Sequence, residues 1–191
     1  MARTSFAEYR PGRARDPLPV VVRAALPADV EALVAVQHAA GRTVDADALG
    51  RAIANPDRCV LLAEPRAAAG STPADRAARG RPVLGWALTH HRTEPADDAD
   101  PAPPGHYLGG VTVHPDHRHR GVAVALTDAR MRWVAARPDN EGAVYYVVNP
   151  ANRASIALHE RWGFREVMRA DRLAGVTFTG GVGILMRAEP R

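Results

Sequence analysis

Two arginines and a glycine between a strand and a helix are the residues of this sequence best placed to do chemistry. Arg118, Arg120 and Gly121 sit within Tyr107–Ala129, which reads YLGGVTVHPDHRHRGVAVALTDA. Apolar Leu108, Val111 and Val113 with β-branched Thr112 predict a strand over 107–113, and His114-Pro115 stops it, because proline has no N–H for a ladder. Val122, Leu126, Ala129 and Trp133 then recur at spacings of four, three and four, which predicts a helix. A basic turn and a glycine leading into a helix leave backbone N–H groups free and aim the positive end of the helix dipole at one spot. Two guanidinium groups stand beside them, so the chemistry is the cradling of a phosphate. It is neither of two familiar cradles: G-x-x-x-x-G-K-[ST] is missing, and Gly109, Gly110 and Gly121 do not fit G-x-G-x-x-G.

A second set of residues lies downstream, in Asn152–Phe164, NRASIALHERWGF. On a helix Asn152, Ser155, Ile156 and His159 share one stripe, and Asn152 is also a good N-cap. The pattern R-x-x-G-x-A (Arg118, Gly121, Ala123), directly after a strand ending V-x-V-x-P, together with this second stretch resembles the two acetyl-CoA motifs of the GNAT superfamily of N-acetyltransferases. The resemblance extends over about Val20–Arg187. It implies an α/β (α+β) fold with a mixed, mostly antiparallel central sheet, splayed between two strands and flanked by helices. It also implies acetyl-CoA as cosubstrate, with no metal. Val111 and Val113 would pair with its pantetheine arm, Arg118, His119, Arg120, Gly121, Val122 and Ala123 would hold its diphosphate, and Asn152 and Ser155 would overlook its thioester.

The implied reaction is attack by a neutral amine on the thioester carbonyl, giving an amide and free CoA. A backbone N–H near Val113 suits the charge that develops on the carbonyl oxygen. The departing thiolate needs a proton, and where the family usually places a tyrosine this chain has His159, the expected catalytic acid. An imidazole titrates near pH 6.5 and a phenol near pH 10. Activity should therefore fall as pH rises through the His159 pKa, unless the neutral tautomer donates. For the base that takes the amine's proton, Glu64, His90, His91, His106 and Tyr107 are all placed at strand ends, and the sequence does not choose among them.

Positioning these groups requires an alternation of strands and helices. Strands are predicted at Val20–Ala25, Cys59–Ala63, Val83–His90, Tyr107–Val113, Ala143–Val148, Arg165–Met168 and Gly183–Arg187. A first helix opens at Pro27-Ala28-Asp29, with Val30, Leu33, Val34, Gln37 and Ala40 on its face and Gly41 at its end. A second covers Asp45–Ala54, a third runs from Val122 to near Arg137-Pro138, and a fourth is Asn152–Trp162. Loops are expected at Pro65–Pro82, at His91–Gly105 and, holding Phe178, at Arg169–Gly181. Residues 1–18 read as a flexible basic tail, and 19–191 as a single domain.

With 191 residues and 46% hydrophobic content, one ordinary core is affordable. No stretch approaches a membrane span and no signal peptide opens the chain, so the cytoplasm is the expected location, without membrane partners. The lone cysteine, Cys59, rules out an internal disulfide and reads as core. All 25 basic residues are arginine and they are dispersed, so the net charge of +4 describes no nucleic-acid-binding stripe. A small-molecule primary amine is the expected acceptor. The acidic stretch Glu94–Asp100, with Asp97 and Asp98, would favour a cationic one such as an aminoglycoside or polyamine. A protein or peptide acceptor and a CoA-binding module without turnover are the alternatives, and a homodimer is compatible with the sequence.

Overall fold

A computed structural model describes residue 6 and residues 15–66, 82–95 and 99–190. Its strands are β1 (Val20–Ala24), β2 (Arg58–Pro65), β3 (Gly85–Arg92), β4 (Gly105–Val113), β5 (Val144–Val148), β6 (Arg165–Ala170), β7 (Arg172–Leu173), β8 (Val176–Thr177) and β9 (Gly183–Ala188). Its helices are α1 (Val30–Ala39), α2 (Ala46–Ala54), α3 (Val122–Ala135) and α4 (Arg153–His159), with short 3-10 turns at Pro27–Asp29, Pro115–His117 and Glu160–Trp162. Seven strands form one mixed, mostly antiparallel sheet in the order β1-β2-β3-β4-β5-β9-β6, and β7 and β8 form a separate hairpin. This is the fold class that the sequence predicts.

The chain forms two compact units, one from Arg13–Leu88 and Gly110–Ala129, the other chiefly from Thr89–Gly109 and Arg130–Arg191. In the first, β1 and β2 pair antiparallel from Val20↔Pro65 to Ala24↔Leu61. The core gathers Leu33 and Val36 of α1, Leu49 and Ala52 of α2, Val60 and Leu62 of β2, and Trp86 of β3. Cys59 is buried as expected. Sequence signals decide the helix ends: Asp45 caps α2 by accepting the Ala48 N–H at 2.8 Å, and Gly41 takes a φ of 73° beyond α1. The α1 face differs from prediction in one respect: Val36 is buried whereas Ala40 lies beyond the helix.

In the second unit β9 lies between β5 and β6, antiparallel to both. Leu108, Met131, Val134, Val144, Tyr146, Val148, Phe164 and Met186 form its main core. The predicted loop Arg169–Gly181 holds the β7–β8 hairpin, with Leu173↔Val176 at its tip. Asp100 fixes that tip. Its carboxylate accepts the N–H groups of Ala174 (2.9 Å) and Gly175 (2.6 Å), and also that of Ala102 (3.1 Å). Burial alone would raise its pKa, but these three donors and Arg92 outweigh burial and hold it below the ordinary value. Asp100 is therefore a buried anchor rather than part of an acidic surface, while Asp97 and Asp98 lie outside the described residues. So do most of the predicted tail and most of the Pro65–Pro82 loop.

Candidate functional site

In the first unit the turn between β4 and α3 is shaped by two left-handed residues. His119 has a φ of 62° and Gly121 a φ of 84°. A non-glycine residue held there costs of order 1 kcal/mol and persists only where its surroundings demand it. Here the surroundings are residues 15–18: His119 O accepts the Arg15 N–H and Arg120 O the Leu18 N–H, both at 3.0 Å. The turn's carbonyls are thus tied to one side. On the other, α3 begins: Ala125 N–H reaches Gly121 O at 3.0 Å, so the N–H groups of Val122, Ala123 and Val124 precede the helical ladder. Apart from Gly121 and its two chain neighbours, no described residue has an atom within 4 Å of the place where a Gly121 Cβ would stand. The space is open where an anion would approach.

Both predicted arginines flank this turn. Arg118 Nε donates to Val113 O at 3.4 Å and Arg120 Nε to Asp16 O at 3.2 Å. Val111 and Val113 are half-buried on either side of buried Thr112, the alternation of a strand. Val122 is 1% exposed, so its side chain serves the core and only its backbone can serve the cradle. Sequence reasoning missed Arg42, just beyond α1. Burial first, and then the charge of Arg118, depress its pKa, as expected of a partly buried cation near another cation.

In the second unit the parallel ladder between β4 and β5 has only two residue pairs, His106↔Val144 and Tyr107↔Tyr145. By contrast, β5 and β9 stay paired over five, to Val148↔Ile184. Two residues past the end of the short ladder, Gly109 O accepts Arg130 Nη1 at 2.9 Å. Arg130 is 0% exposed. It belongs to the buried stripe Val122, Leu126, Arg130, Val134 of α3, one residue round from the predicted Ala129 and Trp133. The spacing of four, carried past Leu126, lands a charged residue inside the core, and that signal was in the sequence.

Arg130 Nη2 lies 3.5 Å from Nε2 of His159, the outer limit of a hydrogen bond. On the ring's other side Nδ1 is 2.8 Å from Ser155 O. A carbonyl only accepts, so Nδ1 carries the proton and Nε2 the lone pair that faces the guanidinium. Tyr146 stacks on the imidazole at 4.2 Å, and Phe164 meets it edge-on at 5.5 Å. Burial, then Arg130, push the His159 pKa down to about 3, only partly countered by the Ser155 carbonyl. This favours the neutral imidazole at physiological pH, with its one proton directed at a helix carbonyl. Asn152 caps α4, its side chain accepting the Ser155 N–H at 3.2 Å. Helix α4 itself ends at His159, a 3-10 turn carries the chain to Trp162, and Gly163 (φ 77°) ends it.

Two of the proposed bases are committed elsewhere. Glu64 is paired with Arg23 at 2.7 Å, and Tyr107 gives its hydroxyl proton to Pro103 O at 2.6 Å. His91 and His106 both face Asp139.

Residues 51–164 match the model of the acetyltransferase (GNAT) family. No curated protein sequence gives a significant match. Among solved structures, the fold is similar to that of the ribosomal-protein-S18-alanine N-acetyltransferase of Escherichia coli (TM-score 0.63, 16% identity, 90% of this chain and 94% of that one). It is also similar to Arabidopsis thaliana NAA60 in complex with acetyl-CoA (0.64, 17%, 89% and 98%). A third is yncA of Salmonella typhimurium with its cofactor acetyl-CoA (0.61, 22%, 90% and 94%).

Proposed function

The chain belongs to the GNAT acetyltransferase family, and from that premise we propose that it moves the acetyl group of acetyl-CoA to the primary amine of a small molecule by direct attack on the thioester. The observation that carries the reading is the β4–α3 turn, with its carbonyls tied back, its helix N–H groups free of the ladder and open space before Gly121. Val111 and Val113 would offer their backbone to the pantetheine arm. Arg118, Arg120 and the backbone from His119 to Ala123 would hold the diphosphate. Structures of two similar folds contain acetyl-CoA, which supports it as the cosubstrate.

In the reaction the amine nitrogen bonds to the carbonyl carbon, the C–S bond breaks, the amine loses a proton and the thiolate gains one. A free thiol has a pKa near 8.5, so an incompletely protonated leaving group is tolerable. We assign His159 a positioning role instead of the acid's: its lone pair steadies Arg130, whose charge lies where β4 and β5 part. Asn152 and Ser155 keep α4, and with it the imidazole, in register. The small acceptor is favoured over a peptide because the segment before β9 is a pinned hairpin, with Phe178 packed beside Leu173 and Tyr107, instead of a loop free to open a groove.

The test is release of free thiol from acetyl-CoA with a panel of small amines set against peptides. Turnover with amines alone supports the reading. Turnover confined to peptides transfers it to protein acetylation, and CoA binding without turnover on any acceptor defeats it.

A further inference from the structure

The second unit also carries a cluster with the makings of a metal site. His91 near the end of β3, His106 near the start of β4 and Asp139 beyond α3 each bring one ligand atom within 4.8 Å of the others. Nδ1 of His91 lies 3.2 Å from Asp139 Oδ2, and Nε2 of His106 lies 3.3 Å from Oδ1. Two ligands bound at 2.0–2.1 Å to one tetrahedral ion stand about 3.4 Å apart. The imidazole-to-carboxylate separations, one to each oxygen, are of that size, and the three ligand atoms have only to close in from within 4.8 Å.

The surroundings hold the ligands in place. The two imidazoles stack at 4.4 Å with planes 26° apart, and Trp133 meets His106 edge-on at 5.8 Å. His106 is 1% exposed, so a bare charge on it is disfavoured; its Nε2 faces a carboxylate oxygen and therefore carries the ring proton, which an incoming metal ion would displace. Side-chain exposures of 19% for His91 and 33% for Asp139 leave solvent a way in. Arg137 grips the carboxylate from Nε (3.0 Å) and Nη2 (3.1 Å). It orients the oxygens, as outer partners of ligating carboxylates do, while its charge weakens the attraction for a cation.

We propose that His91 Nδ1, His106 Nε2 and the Asp139 carboxylate bind one divalent transition-metal ion of the imidazole-preferring kind, with Zn²⁺ as the representative and water completing the coordination. The ion ties the ends of β3 and β4 to the turn after α3, and it is independent of the acetyl-transfer reading. No sequence motif announces it, because the three ligands are far apart along the chain.

The experiment uses the full chain stripped with chelator, then titrated with Zn²⁺ against a chromophoric competitor and with Co²⁺ followed by its visible d–d absorption. One ion per chain, with Kd of about 10 µM or tighter, is expected. The variants His91→Ala and Asp139→Ala, both at the accessible rim, should each weaken binding at least about tenfold and dim the cobalt bands. Acetyl-CoA affinity should stay unchanged, which also shows that each variant is folded. If one variant fails that check, the other decides. Zn²⁺ binding weaker than about 0.1 mM, or unaltered in a folded variant, overturns the site.

Discussion

The cradle of the first unit and the buried polar group of the second are built from different materials. The cradle is local: its residues run consecutively from Val113 to Ala123, and its donors are backbone. Few side chains there are committed to it, and the chain has only to bend correctly. The Arg130 group is the reverse. Gly109, Arg130, Tyr146 and His159 come from four elements, and each holds its place because the others fill the space around it. The lesson concerns robustness. A backbone site tolerates most side-chain changes and fails at the one residue whose conformation it needs, whereas a side-chain site fails at every member and takes stability with it.

That contrast can be broken by substitution. Gly121→Glu puts a carboxylate into the open space before the cradle, and acetyl-CoA affinity should drop more than about 100-fold. Calorimetric titration measures this, and a melting temperature within a few degrees of wild type would show that only the site was lost. Arg130→Met should do the opposite. It leaves Gly109 O and His159 Nε2 buried without their donor, costing about 3 kcal/mol in urea denaturation. Normal stability in this variant would mean that the guanidinium is no strut.

Asp100→Asn sharpens the point within the second unit. It should cost about 2 kcal/mol at neutral pH, because an amide cannot accept all the N–H donors now gathered on the carboxylate. The depressed pKa sets the sign: the advantage is complete above the ordinary value of 3.8 and disappears as pH falls through the lower folded-state value. Chemical denaturation at several acid pH values would show the two proteins converging. The smallest effect concerns His159. Its folded-state pKa lies below the unfolded value near 6.5, so the unfolded chain takes up the proton first and stability declines as pH falls from there. Between about pH 7.5 and pH 5.5 the loss should be about 1 kcal/mol, and it should be missing in His159→Phe. The same variant should slow turnover more than it weakens CoA binding.

How much could be read in advance follows the same division. Strand, proline stop, basic turn and helix are contiguous, so the shape around Gly121 was legible from 107–129. So were the seven strands of the main sheet and several helix boundaries, because capping and periodicity are short-range, whereas the β7–β8 hairpin read as a loop. His159 was found, but the groups around its ring were not. A ring's protonation depends on which carbonyl and which cation surround it, and Arg130 lies 29 residues away. The α3 stripe was misjudged by one residue because a buried arginine violates the apolar pattern that periodicity relies on. His91, His106 and Asp139 were invisible as a group, although the first two were noticed singly. The role of Asp100 was obscured by its neighbours, since a run of acidic residues resembles a solvated loop whether or not one of them turns inward.

If the β4–α3 turn holds the cofactor as proposed, the two hydrogen bonds that Arg15 and Leu18 give to His119 and Arg120 make residues 15–18 part of the ligand-holding apparatus. A contact that shapes an empty turn is strengthened when the turn is filled, so bound cofactor should slow proteolytic clipping at residues 15–18. By the same reciprocity, a shortened protein beginning at Pro19 would keep every arginine of the cradle and still grip its cofactor less firmly.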